Sequence, residues 1–217
     1  MVILLAIAIA AGAYFLGGLN GAIITSRLVY REDIRKHGSG NAGLTNFLRT
    51  YGGKTVVLVI LIDVLKAAGP VIAGGLLANH FLTYGEAADR VIIGQMWAGL
   101  FTVFGHSYPC LYGFKGGKGI LSAGTIAIIA DWRVALIVWG LFFLGVFLTR
   151  YVSLGSIMAA TAFPAAFWVL GLDLWATLIA LVCGAFIDYR HGGNIVRLIK
   201  GEERKLSFGK KRGGDDA

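Results

Sequence analysis

An all-α bundle of membrane-spanning helices is the fold class this sequence predicts, and three observations predict it. Of 217 residues, 57% are hydrophobic and 15% charged, with a mean hydropathy of +0.73. A soluble domain is about 45–50% apolar and about a quarter charged. The apolar residues also come in long runs, such as Ala67–Ala78 and Val134–Leu148, too uniform for surface elements. Finally, the Lys and Arg residues cluster in the segments between those runs. The formal net charge of +8 therefore reads as topology and not as nucleic-acid binding.

Taken in order, the first apolar stretch covers about Val2 to Ser26 and is loosened near its end by Gly17, Gly18, Asn20 and Gly21. No basic segment precedes it, so a span is expected in place of a cleaved leader. A polar island, Arg27–Lys54, leads to a second span at Thr55–Asn79 and a link at His80–Arg90. The third span, Val91–Phe104, opens onto a second island at Gly105–Gly119. Ile120–Ala130 and Val134–Leu148 follow, separated by a break at Asp131-Trp132-Arg133. A third island covers Thr149–Ser156, and Ile157–Leu170 and Leu174–Ile187 flank Gly171-Leu172-Asp173. A basic tail begins at Asp188. Residues 1–205 are expected to form one membrane-integral domain and 206–217 a disordered tail.

The last four apolar runs are shorter than the ~20 residues a full span needs. Fusing them pairwise would give five spans. Each fused helix would be about 45 Å long against a hydrocarbon core near 30 Å. Fusion would also bury Asp131, Arg133 and Asp173, at about 2.5–3.5 kcal/mol each. Seven spans are therefore expected. With seven, every Lys and Arg except Arg90, Arg133 and Lys66 falls on one face. The positive-inside rule then puts the N-terminus outside, the C-terminus in the cytoplasm and all three islands on the cytoplasmic side.

The islands carry the chemistry. Phe114-Lys115-Gly116-Gly117-Lys118-Gly119 packs two cations and three glycines into six residues. Glycine lets backbone N–H groups turn toward one point, and two ammonium groups beside that concavity suit a phosphate. A basic connector at the membrane surface would share this composition, but two further islands repeat the chemistry. His37 to Arg49 holds Gly38, Ser39, Gly40, Asn41, Gly43, Thr45 and Asn46 ahead of an arginine whose planar fork can chelate a phosphate. Arg190 and His191 precede Asn194, and His191 and Asn194 are three apart, on one face of a helix. His191 is a candidate proton acceptor. His106, ahead of the lysines, reads first as a structural histidine. Ser153 and Ser156 add hydroxyls if their loop is cytoplasmic. Asp63 and Lys66, also three apart inside the second span, are expected to pair toward the bundle interior.

Absences narrow the chemistry further. No nucleophile elbow, Cys–His pair or acidic metal cluster is legible, and Cys110 and Cys183 are far apart with no metal or redox spacing. No cofactor and no metal are expected. Phosphate cradles at a lipid boundary without a nucleophile suit direct transfer between two phosphorylated substrates.

Together these strings resemble the PlsY family, the bacterial membrane acyltransferases that use acyl phosphate and glycerol 3-phosphate. The resemblance is carried by Gly38-Ser39-Gly40-Asn41 with Thr45, Asn46 and Arg49, by Gly105-His106 with Pro109 and Phe114–Gly119, and by Arg190-His191 with Asn194, Arg197, Gly201 and Glu203. Asp63, Lys66 and Arg150-Tyr151-Val152-Ser153 with Ser156 match as well, and Leu44 stands where the family usually has alanine. The resemblance implies a seven-span enzyme of the bacterial inner membrane with a cytoplasmic active site. It implies attack of the glycerol 3-phosphate hydroxyl on an acyl-phosphate carbonyl, giving 1-acylglycerol 3-phosphate and phosphate, the first step of phospholipid synthesis. The catalytic set would be His191, Asn194, Ser39, Arg49 and Lys115. Substrate phosphates would be held by Gly40, Asn41, Thr45, Asn46, Gly116, Gly117, Lys118, Gly119, Ser153 and Ser156, supported by Asp63, Lys66, His106 and Arg190. Membrane lipids and an enzyme that makes acyl phosphate would be the partners, and the acyl chain would lie near Gly155, Ala159 and Ala160. Whether His191 or a substrate phosphate takes the proton is left open. A transporter of a phosphorylated metabolite is the alternative, but it predicts polar groups on both faces, and the outer links carry no comparable cluster.

Overall fold

A computed structural model describes residues 1–83 and 85–206, and they are all-helical. The apolar runs form α1 (Val2–Gly17), α2 (Gly21–Thr25), α4 (Val56–Phe81), α5 (Ala87–Ser107), α6 (Ile120–Ala130), α7 (Trp132–Thr149), α8 (Val152–Val169) and α9 (Leu174–Arg190). Two short helices, α3 (Leu44–Thr50) and α10 (Gly192–Ile199), sit in the first polar island and in the segment after α9. Four stretches are long and apolar enough to cross a membrane: Val2–Tyr30, α4, α7 and α8. Of the tail expected to be disordered, 206–217, residues 207–217 lie outside the described residues. Leu206 is held by its N–H to the Arg150 carbonyl at 2.7 Å.

Helix ends differ from the expected spans for local reasons. Asn20 interrupts the first span and caps α2, its side chain accepting from the Ile23 N–H at 3.0 Å. The helix continues through a π-turn, Ser26–Tyr30, until Arg31 takes a left-handed conformation. α5 runs past the expected end at Phe104 and stops one residue short of Tyr108, whose successor is Pro109. His106 thus sits on the last helical turn and not in a loop. The break at Asp131-Trp132-Arg133 is a cap, with Asp131 accepting from the Arg133 N–H at 2.7 Å. The third island shrinks to a two-residue connection, Arg150-Tyr151, with Ser153 and Ser156 inside α8.

α5 is the central element, packed against α1, α4, α6 and α9, while α8 packs against α7 and α9. The core between them is built from Val71, Met96, Val103, Ile126, Phe163, Phe167 and Ile187. Small residues let the backbones touch. A Cβ on Gly94 of α5 would lie 2.4 Å from the carbonyl oxygen of Gly74 on α4. Gly155, Ala159 and Ala160, expected to leave room for an acyl chain, are used the same way. Gly155 abuts the Phe142 carbonyl of α7, and the Ala160 carbonyl abuts Gly184 of α9. An apolar groove of about 400 Å³ opens elsewhere, between α5 and α9, lined by Trp97, Leu100, Trp175 and Ile179 among others. At one end of the bundle Trp132, Trp168 and Trp175 are exposed, the position of an interfacial aromatic belt. The polar islands gather at the other end.

Candidate active site

The first island is folded around Asn46. Its buried carboxamide accepts from the Ser39 N–H at 2.9 Å and donates to the carbonyls of His37 at 3.1 Å and Asn41 at 3.0 Å. Gly38 and Gly40 turn with positive φ, 60° and 74°, which glycine adopts without strain. Asn46, expected to touch substrate, is therefore spent as the knot of this loop. Ser39 and Gly40 stay exposed at its rim, with Asn41 and Thr45 half-buried beside them. Asp33 gathers Arg27 at 2.9 Å and Arg35 at 2.8 Å. The hydrogen-bonded Arg35 guanidinium holds the Asp33 carboxyl far below the usual carboxylate range. Arg35 also donates to the carbonyls of Tyr112 and Lys115, at 2.5 and 3.1 Å, joining the first island to the second.

In the second island the chain leaves α5 at Pro109 and doubles back on it. The N–H groups of Gly116 and Gly117 donate to the carbonyls of Ser107 and His106, both at 3.1 Å. Gly119, at φ 87°, starts α6. Lys118 is directed inward, where its ammonium donates to the Asn194 carboxamide oxygen of α10. Lys115 is exposed, and its carbonyl is the group engaged, so the two lysines are not equivalent.

The third region closes the cluster. Asn194 donates from its nitrogen to Glu203 at 3.0 Å, and Glu203 pairs with Arg197 at 2.8 Å. Arg190 donates to the Gly117 carbonyl at 3.1 Å and lies over the Tyr108 ring. His191 is buried, with Nδ1 2.8 Å from the Ile187 carbonyl. A carbonyl only accepts, so Nδ1 carries the proton and Nε2 is left as an acceptor. Arg49 reaches across from α3 to the Arg204 carbonyl at 2.9 Å. The Ser153 hydroxyl is buried near Glu203 and helps lower its pKa, yet makes no close hydrogen bond. The Ser156 hydroxyl is taken up within α8, donating to the Val152 carbonyl at 2.8 Å.

Lys118 lies within electrostatic reach of Arg197, Glu203, Arg190 and Arg49, and of these cations Arg197 pairs directly with the Glu203 carboxylate. Burial first, then the neighbouring arginines, lowers the Lys118 ammonium from 10.5 to about 8. Burial, followed by the Lys118 charge, lowers His191 to about 4, so its ring is neutral at pH 7. An excess of cations in a partly buried concavity can hold more negative charge than Glu203 supplies, whereas the Gly116 and Gly117 N–H groups, expected to turn toward a phosphate, are spent on the Ser107 and His106 carbonyls. Among the described residues no His/Cys/Asp/Glu group is arranged to hold a metal. Glu203 and Arg35 were missed as site residues. A lone carboxylate in a basic tail and an Asp-x-Arg pair were the available signals.

Four apolar stretches of membrane length, with cations gathered on the connecting segments at one end of the bundle, give the architecture of an integral membrane protein with a candidate anion site at that end. The glycerol-3-phosphate acyltransferase family model matches residues 7–201. The chain is 40% identical to the glycerol-3-phosphate acyltransferase of Finegoldia magna over 196 residues, 89% of this chain and 92% of that one. It is 37% identical to that of a Synechococcus strain, covering 91% of each chain. A crystal structure of PlsY, an integral membrane glycerol 3-phosphate acyltransferase in its glycerol 3-phosphate form, superposes with a TM-score of 0.82 at 34% identity, covering 93% of this chain and 96% of that one. Its lysophosphatidic acid form superposes at 0.79 with 33% identity, covering 93% and 95%. The chain belongs to the glycerol-3-phosphate acyltransferase family.

Proposed function

We propose that this protein moves an acyl group from acyl phosphate to glycerol 3-phosphate at the cytoplasmic face of the bacterial inner membrane. It does so through seven spans, with the N-terminus outside. The glycerol 3-phosphate hydroxyl attacks the acyl carbonyl, the carbon–oxygen bond to phosphate breaks, and 1-acylglycerol 3-phosphate and phosphate are released. Acyl phosphate is already an activated mixed anhydride, so no nucleophile of the protein is required. The protein supplies positioning and cancellation of negative charge. Lys118, Arg49, Asn194 and Ser153 hold phosphate oxygens, the Gly116–Gly119 turn places Lys118 among them, and Ser39, Gly40, Asn41 and Thr45 line the rim. Lys115, exposed, guides the anionic substrates inward and does not enter the transfer step. The acyl chain takes the apolar groove between α5 and α9, helices that both end at the cation cluster.

Burial and the Lys118 charge keep the His191 ring neutral, which leaves Nε2 as a hydrogen-bond acceptor. Nε2 of His191 accepts a hydrogen bond from the attacking hydroxyl and orients it, and the proton passes to a substrate phosphate.

One observation carries this reading: Arg49, Lys118 and Asn194, drawn from three remote segments, meet around Glu203. The test is a donor comparison on purified protein. Acyl phosphate should yield lysophosphatidate from glycerol 3-phosphate, and acyl-CoA should not. Activity with acyl-CoA alone would overturn the donor assignment.

A further inference from the structure

Behind the cation cluster lies a second set of polar groups, an ion pair and a histidine, that the transfer reaction does not use. Asp63 and Lys66 on α4 and His106 on the last turn of α5 are all buried. Lys66 Nζ is 2.8 Å from Asp63 Oδ1 and 2.7 Å from His106 Nδ1. An ammonium only donates, so Nδ1 accepts and the ring proton sits on Nε2. Asp63 Oδ1 also accepts from the Gly21 N–H at 3.0 Å.

What these groups touch is the frame of the phosphate loop. The His106 carbonyl accepts from the Gly117 N–H. A Cβ on Gly117 would lie 2.1 Å from His106 Nε2 and 2.8 Å from the Ala42 carbonyl oxygen, so ring and first island close on the glycine from two sides. That Ala42 carbonyl accepts from Asn20 at 2.9 Å, one residue before the Gly21 that Asp63 holds. One ion pair thus bears on both islands, on the first through Gly21 and Asn20 and on the second through His106.

We infer that Asp63, Lys66 and His106 form a positioning relay that sets the Gly116–Gly117 turn, and with it Lys118, for binding the substrate phosphate. Lys66 selects the His106 tautomer and ring orientation, and the ring fixes the glycine turn. Without Lys66 the ring is free to rotate and the turn loosens. The inference rests on the proposed role of Lys118 in holding a substrate phosphate.

The experiment uses purified full-length protein. The paired variant Asp63→Asn/Lys66→Met leaves no lone charge, and His106→Gln keeps a polar atom near Nε2 while dropping the acceptor for Lys66. Both should raise KM for glycerol 3-phosphate about tenfold or more while kcat stays within about threefold. Both should speed amide exchange over residues 115–119 at an unchanged melting temperature, and Lys66→Arg, which keeps a donor for His106 Nδ1, should retain a KM near that of the wild type. Wild-type KM and wild-type exchange in a folded variant, or a loss confined to kcat, would overturn the relay. If the paired variant does not fold, His106→Gln alone carries the same expectations. Amide exchange needs no acyl donor, so a wild type inactive with acyl phosphate would sink the donor assignment while exchange still judges the relay.

Discussion

At the scale of single residues, Lys118 is the position where burial and charge are most finely opposed. Its ammonium is charged below about pH 8 and neutral above it, so phosphate affinity is present at low pH and lost as pH rises through that value. KM for glycerol 3-phosphate should therefore climb above pH 8 in steady-state assays, with less effect on kcat because bound phosphate restores the charge. Lys118→Met should lower kcat/KM by about 100-fold or more, as truncating one member of a buried charge cluster does. Gly117→Ala would put a methyl against His106 Nε2 and a backbone carbonyl, and should raise KM about tenfold in protein that still folds. Arg49, Lys118, His191 and Asn194 were legible in the sequence because cations, histidine and amides were sparse against an apolar background. Glu203 was not, because a carboxylate in a basic tail looks like a solvated counter-charge until Asn194 and Arg197 are seen to converge on it. Asn46 misled in the other direction. An amide that knots its own loop has the same composition as one that binds a ligand.

At the scale of elements, helix ends place the chemistry. The apolar runs named each helix, but the ends were set by capping and proline, which hydropathy does not register. Pro109 stops α5 and leaves His106 on its last turn. Arg150 ends α7 at φ 64°, a left-handed conformation that favours glycine. Arg150→Gly should leave the melting temperature of the purified protein unchanged or raise it. Arg150→Ile should lower it, since a β-branched residue there costs about 1–3 kcal/mol. The segment after α10 folds back over the site through Arg49, Arg150 and Glu203. Its composition predicted only a basic tail, since the bonds that hold it run between residues far apart in the chain.

At the scale of the molecule, an all-helical membrane bundle was readable from composition and run length alone. What composition missed was that the small residues of α8 serve close helix packing and that the open groove lies between α5 and α9. The proposed orientation has its own check. In a background with Cys110 and Cys183 replaced by serine, Asp173→Cys should react with a membrane-impermeant maleimide on intact cells, and Lys200→Cys only after lysis. The reverse pattern would invert the topology. The account as a whole stands on remote segments meeting in one charge cluster, which a double-mutant cycle measures most directly. For Arg49→Ala and Lys118→Ala, read as kcat/KM for glycerol 3-phosphate, groups that share one substrate are coupled. The double variant should lose far less than the product of the two single losses. A double loss equal to that product would mean that Arg49 and Lys118 act independently, and it would contradict the single site described here.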